Sequence, residues 1–327
     1  MSLDADLLAD RRRLRRKLSL WRVVAFAALI ALVVAGGWAL GGRTITAAQS
    51  QIARVRISGF IAGDRRTLDL LKSLRDAQGA KAVLVTIDSP GGTTTGAEAL
   101  YDALRRLSEK KPTVAVVDGM AASGGYIAAL GTDRIVARET ALVGSIGVLF
   151  QYPNVARLLE TIGVTVEAVK SSPLKAAPSG FEPTSPEARA ALESIVKDTY
   201  EWFKRLVRER RSYDDTGLAS VSDGRIFTGR QALGLRLVDE IGGEREAIAW
   251  LEREKGIAKD LPVREWKPRS DRSGIGLWSS LAAGAAVLGY PDLAAALDRA
   301  AAASDLGRLD GLLAVWHPSL EKALNYQ

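Results

Sequence analysis

A serine set among glycines, between a stretch suited to a strand and one suited to a helix, is where this chain is best placed to do chemistry. Ser123 lies in Gly119-Met-Ala-Ala-Ser123-Gly-Gly125, after the β-branched run Thr113–Val117 and before the apolar run Tyr126–Leu130. Two readings fit. One is a glycine-rich strand–helix connection in an α/β domain. The other is a nucleophile elbow, in which the turn exposes the serine Oγ and the following amide faces an incoming carbonyl. In that second reading Ser123 is the nucleophile and the Gly124 N–H an oxyanion donor. Gly91 and Gly92 follow the strand-like run Ala82–Ile87 and offer another donor, because a residue without Cβ lets substrate approach the backbone.

A serine nucleophile needs a base, and the composition narrows the choice. The chain has no cysteine and one histidine, His317. Disulfides, thiolate metal sites and cysteine nucleophiles are therefore excluded, as is a zinc site built from several histidines of one chain. No cofactor and no metal are expected. A Ser-His-Asp triad would have to draw its histidine from the tail, so lysine, the known substitute, is the expected base. A lysine accepts a proton only when neutral, a state that apolar surroundings favour. Lys170 and Lys175 share the loop Lys170-Ser-Ser-Pro-Leu-Lys175-Ala-Ala-Pro-Ser-Gly180, which holds no acid. Spacing alone does not choose between them. Lys170 continues the alternating run Val164–Val169, which reads as a strand. Lys175 lies beyond Pro173 among Leu174, Ala176 and Ala177, in a segment free to fold back over the turn at Ser123. Ser145 and Ser179 are candidates to orient the lysine, with turn or surface roles as the alternative.

The elements that must position these residues follow the chain in order. Val55–Phe60 alternates like a first strand, and leucines 68, 70, 71 and 74 mark an amphipathic helix over Thr67–Ala77. Ala82–Ile87 reads as a buried strand, and Gly96–Lys110 as a helix carrying Leu100, Leu104 and Leu107. Strands are expected again at Thr113–Val117, Arg134–Ala137, Ala141–Phe150 and Val164–Val169, with a helix at Val155–Ile162. Thr184-Ser-Pro-Glu187 reads as a capping box opening a long helix to about Arg211. Glu244–Glu254 is the last helix of this region. The succession predicts an α/β fold with right-handed crossovers and a largely parallel sheet.

The chain carries 45 basic and 38 acidic residues, for a net charge of +7. The one dense basic run is Arg11-Arg-Arg-Leu-Arg-Arg-Lys17, and the remainder is close to balanced, with no aromatic-and-basic stripe. A nucleic-acid partner is not expected. Val23–Leu40 follows the basic run with 18 uncharged residues, and Trp21 and Trp38 sit near its ends. As a helix it spans about 27 Å, close to the hydrocarbon core of a bilayer. A cleaved signal peptide is the alternative, but the run is longer than a usual signal core. The expectation is an uncleaved signal anchor in the lipid bilayer. Positive charge then puts residues 1–20 in the cytoplasm and the remainder on the extracytoplasmic side. The expected division is a basic segment 1–20, anchor 21–42, linker 43–50, catalytic domain 51–267 and helical C-terminal extension 268–327.

Taken in order, five marks resemble the signal peptide peptidase A (SppA) family of membrane-anchored serine proteases. They are Ile87-Asp-Ser-Pro-Gly-Gly92, Met120-Ala-Ala-Ser-Gly-Gly-Tyr126, Val143-Gly-Ser-Ile-Gly-Val148, Val169-Lys-Ser-Ser-Pro-Leu-Lys175, and Asp223-Gly-Arg-Ile-Phe-Thr-Gly229 with Gly234-Leu-Arg-Leu-Val-Asp-Glu240. The resemblance covers roughly Gln51 to Glu254 and is to the short form, with one catalytic unit. It implies a ClpP/crotonase-like fold and a Ser-Lys dyad in which Ser123 is nucleophile and Lys175, the second lysine of its loop, is general base. It further implies remnant hydrophobic signal peptides as substrates and a homo-oligomeric ring as the assembled form. A related protease that trims one particular membrane protein would share these motifs. A crotonase-like acyl-CoA enzyme would share the fold without needing Ser123 or Lys175.

Overall fold

The computed structural model describes residues 49–268 and, outside them, residues 21, 22, 24–27, 30 and 313–315. The chain divides into two compact units, one of residues 1–50 with 77–80, the other of residues 51–76 and 81–327. In the first unit, residues 21, 22, 24–27 and 30 are helical and exposed. The rest of the expected anchor and all of the basic segment lie outside the described residues. Among the described residues, no helix is long and apolar enough to cross a membrane.

The second unit is a mixed α/β layer structure. Its elements run β1 (Gln51–Ile61), α1 (Arg65–Asp76), β2 (Ala80–Thr93), α2 (Thr94–Ser108), β3 (Thr113–Ala122), α3 (Gly124–Leu130), β4 (Arg134–Ala137) and β5 (Leu142–Gly144). They continue with α4 (Ala156–Thr161), α5 (Pro186–Arg211), α6 (Asp215–Val221), β6 (Ile226–Thr228), α7 (Gly229–Gly234), β7 (Glu240–Ile241), α8 (Glu244–Lys255) and β8 (Val263–Glu265). A last strand, β9, covers Leu313–Val315.

The sheet runs β6-β5-β3-β2-β1-β8, with β4 between β3 and β7, and β9 on β2. Pairing is parallel for β1–β8, β2–β3, β3–β4, β3–β5 and β4–β7, and antiparallel for β5–β6 and β2–β9. Strand alternation sorts the core. Ala82 and Leu84 join Ile52, Val114 and Val116 in a cluster closed by Trp250 and Leu251 of α8. Val83, Val85 and Ile87 are equally buried and belong by alternation to the other face of β2. Leucines 71 and 74 of α1 and leucines 104 and 107 of α2 are buried at helical spacing.

β3 is the strand around which the site forms, because it changes partner along its length. Val114–Val117 pairs with β4, and Met120–Ala122 pairs with β5. The chain thus leaves β3 between two neighbours, directly into α3.

Four expectations need correction. Of the run Ala141–Phe150 only Leu142–Gly144 is a ladder strand. Val164–Val169 forms no strand and lies exposed, since no neighbouring strand edge is there to satisfy its backbone. The long helix is capped by Ser185, which accepts from the Ala188 amide, one residue later than the box at Thr184 implies; Thr184 instead hydrogen-bonds Tyr152 at 2.7 Å. In the C-terminal extension, residues 313–315 are extended where leucine spacing suggests helix, because pairing with β2 overrides local preference.

Candidate active site

Ser123 occupies the junction of β3 and α3 with φ 53° and ψ −115°. Side chains with a Cβ rarely adopt positive φ, so the turn holds strain that its surroundings must impose. They do so through the backbone. The Ser123 N–H donates to the Gly144 carbonyl at 2.8 Å, and the Ser123 carbonyl accepts from Tyr126 at 2.9 Å and Ile127 at 3.0 Å. The side chain is left free of structural duty: it makes no hydrogen bond among the described residues and is 1% exposed in the single chain.

The short helix behind it is pinned from two sides. Tyr126, fully buried, donates its hydroxyl to the Leu237 carbonyl at 2.8 Å, and burial pushes its pKa up, keeping it a neutral donor. Arg210 of α5 donates to the carbonyls of Leu130 and Thr132, both at 2.9 Å, and so satisfies the helix C-terminus. The entry is equally tight. A Cβ on Gly125 would lie 2.7 Å from the Ser89 carbonyl, so only glycine lets α3 start against β2.

The two expected glycine donors are not equivalent. Gly91, at φ 112°, gives its N–H to the Ser89 Oγ at 3.1 Å. Gly92 is backed by β1 so closely that a Cβ there would lie 1.9 Å from the Ile61 carbonyl. Gly124, at the first position of α3, has an N–H without an intrahelical acceptor. The edge beside these glycines is occupied: β9 pairs antiparallel with it, Gly91 opposite Val315, Gly92 opposite Ala314 and Thr93 opposite Leu313.

The lysines lie on the exposed arm 155–185. Lys170 forms an ion pair with Glu182. The side chain of Lys175 is exposed, and no hydrogen bond among the described residues joins it to Ser123. The two expected partners of the lysine differ in setting. Ser145 follows Gly144, whose carbonyl holds the Ser123 amide. It is 7% exposed, has φ 53°, and donates its N–H to the Arg225 carbonyl at 2.8 Å. Ser179 accepts locally from the Phe181 amide at 3.3 Å. One residue past Ser145, at Ile146, begins an apolar groove of about 690 Å³ lined by Leu149, Phe150, Leu192, Val196 and Tyr200. Ser123 is not among its lining residues.

Two residues the sequence reading passed over hold the site together. The Asp88 carboxylate accepts from the Met120 amide at 3.1 Å, tying β2 to the glycine turn. Ser89, within the same Asp-Ser-Pro-Gly-Gly mark, is fully buried against that turn. Their position between a strand and a glycine pair was the available signal.

The sequence matches the model of Peptidase family S49 over residues 105–258 and that of Clp protease over residues 64–143. It is 38% identical over 217 residues to a Synechocystis sp. protein carrying a protease name, covering 66% of this chain and 78% of that one. It is 31% identical to an Enterococcus faecium protein carrying the name signal peptide peptidase SppA, covering 70% of each. It is 30% identical to the chloroplastic serine protease SPPA of Arabidopsis thaliana, covering 69% of this chain and 35% of that one.

Proposed function

Because this chain belongs to peptidase family S49, we propose that it is a membrane-anchored serine endopeptidase that degrades remnant signal peptides with a Ser123–Lys175 dyad. The observation that carries the reading is the strained turn at Ser123, which frees one serine hydroxyl while its backbone is fixed by β5 and α3. In the reaction, neutral Lys175 takes the Ser123 proton as Oγ bonds the substrate carbonyl carbon. The resulting oxyanion is held by backbone N–H groups of Gly124 and of the Gly91–Gly92 pair. Collapse expels the amine, which leaves with the proton from Lys175. A water then gives a proton to Lys175 as its oxygen bonds the acyl carbon, and collapse expels the Ser123 Oγ, which takes that proton back from Lys175.

Substrate geometry is supported by β9. An edge that accepts an antiparallel strand of this chain is suited to an extended peptide, whose main chain supplies the hydrogen bonds. Anchoring is supported by the uncharged run Val23–Leu40 and by the exposure of Trp21, Val24, Phe26 and Ile30 on helical residues. The catalytic domain then lies on the extracytoplasmic side.

Assembly is supported by the arm. Leu158, Ile162, Val164, Val166, Leu174 and Phe181 all expose apolar surface on it, beside an apolar groove elsewhere on the same unit. One such surface seated in the groove of the next copy is a heterologous contact, and such contacts form a ring where the rotation between copies closes. Lys175 sits on this arm, so assembly brings it to Ser123.

A fluorophosphonate probe tests the nucleophile. Labelling should map to the peptide containing Ser123 and vanish in Ser123→Ala, together with cleavage of an apolar signal peptide. Labelling that persists in the alanine variant, or maps to Ser145, would overturn the assignment.

A further inference from the structure

The buried hydroxyl of Ser89 is used by none of the steps above, yet it bonds β1 and the first glycine of the oxyanion pair. Ser89 is 0% exposed. Its Oγ donates to the Gly59 carbonyl of β1 at 2.6 Å and accepts from the Gly91 N–H at 3.1 Å. The Gly59 carbonyl at 2.6 Å takes the hydroxyl proton ahead of the Gly91 carbonyl at 3.4 Å, which leaves the oxygen as acceptor for the Gly91 N–H. Ser89 pairs with Ala121, two residues before Ser123, after a register shift between Ile87 and Ser89. Its carbonyl is the atom that leaves no room for a side chain on Gly125. The Ser89 side chain therefore ties β1 to Gly91, while its backbone carbonyl fixes how closely the start of α3 approaches.

We infer that Ser89 is a positioning residue that selects which amide of the Gly91–Gly92 pair serves the oxyanion. Held by Ser89, the Gly91 N–H is turned toward β1 and is not offered to substrate. Fixing Gly91 in this way leaves the Gly92 N–H as the amide of the pair that Ser89 does not hold, to serve the oxyanion together with the Gly124 N–H. Gly91 has no Cβ to bar its peptide from rotating, so without the Ser89 acceptor both amides of the pair lose their fixed direction. The consequence belongs to the transition state, since a misdirected donor weakens hold on the oxyanion more than on the ground-state carbonyl.

The inference rests on the serine-protease reading, and the test separates the two. Ser89→Ala and Ser89→Cys are made in the full chain; both remove the oxygen acceptor, alanine by leaving a small gap and cysteine by filling it with a larger, weakly accepting sulfur, and the kinetic comparison uses whichever variants fold. Each variant should lose about 10- to 100-fold in kcat, with KM for an apolar peptide within twofold of the parent. Affinity for a peptide aldehyde, whose carbonyl carbon bonds Ser123 Oγ to give an oxyanion, should fall by the same factor as kcat. A lowered melting temperature with unchanged kcat would reduce Ser89 to a structural role and overturn the inference. So would a kcat loss without loss of aldehyde affinity, or an effect confined to KM. Ser123→Ala is measured alongside. If it still turns over, the reading of the nucleophile has failed; if it is inactive while both Ser89 variants keep full kcat, only the role of Ser89 has.

Discussion

At the scale of single residues, the two lysines of the arm separate cleanly. Lys170 is bound in an ion pair with Glu182, which directs it along the arm. Lys175 makes no ion pair among the described residues and has only Leu174, Ala176 and Ala177 around it in sequence. Lys175→Ala should therefore remove activity, by about 10,000-fold as for loss of the nucleophile itself, since dyad members act as a unit. Lys170→Ala should leave most of it, because an exposed ion pair contributes about 1 kcal/mol or less. Peptide-cleavage rates on folded variants decide the matter, and an inactive Lys170→Ala beside an active Lys175→Ala would reverse the roles. Tyr126 gives a second contrast. Tyr126→Phe deletes one hydroxyl and leaves the Leu237 carbonyl buried without its donor. A loss of about 1–3 kcal/mol in denaturant unfolding is expected, and with it some loosening of α3.

At the scale of elements, the sequence was legible wherever local pattern and final partner agree. Ala82–Ile87, Thr113–Val117 and the leucines of α2 carry their burial in their own spacing, and all three lie where that spacing implies. The turn at Ser123 was legible for the same reason, because glycines on both sides announce a tight passage. The failures are segments whose state depends on something distant. Val164–Val169 has the alternation of a strand but no edge to pair with in the single chain. Leu313–Val315 has weak local preference and becomes a strand because the glycine edge of β2 is open to it. That second case yields a prediction. A strand of the same chain on Gly91–Thr93 competes with an extended substrate at high effective concentration. Ala314→Pro removes a donor from β9 and disfavours the pairing. KM for an apolar peptide should fall severalfold with kcat unchanged. A lower melting temperature with the same KM would show that β9 serves only as scaffold.

At the scale of the whole molecule, the single chain holds the pieces of a site that it does not close. Ser123 is buried with its hydroxyl unengaged among the described residues, while the lysine proposed to activate it is exposed on an arm whose apolar residues no described residue covers. Leaving such an arm bare is costly, and seating it on a second copy is the simplest arrangement that covers it. In a heterologous ring the arm of one copy lies against the next, so Lys175 serves the Ser123 of its neighbour. Mixed assembly tests this directly. Ser123→Ala and Lys175→Ala are each expected to be inactive alone, but in a ring of this kind a mixture refolded together would contain interfaces that pair an intact Ser123 with an intact Lys175. Random mixing in equal amounts makes about a quarter of such interfaces fully intact, so activity near one quarter of the parent is expected. If each chain instead closed its own dyad, every chain in the mixture would carry one lesion and the mixture would stay inactive. Sedimentation of the parent protein supplies the second arm: a monomer at micromolar concentration that nonetheless cleaves peptide would mean that Lys175 reaches Ser123 without a neighbour, by movement of the arm within one chain.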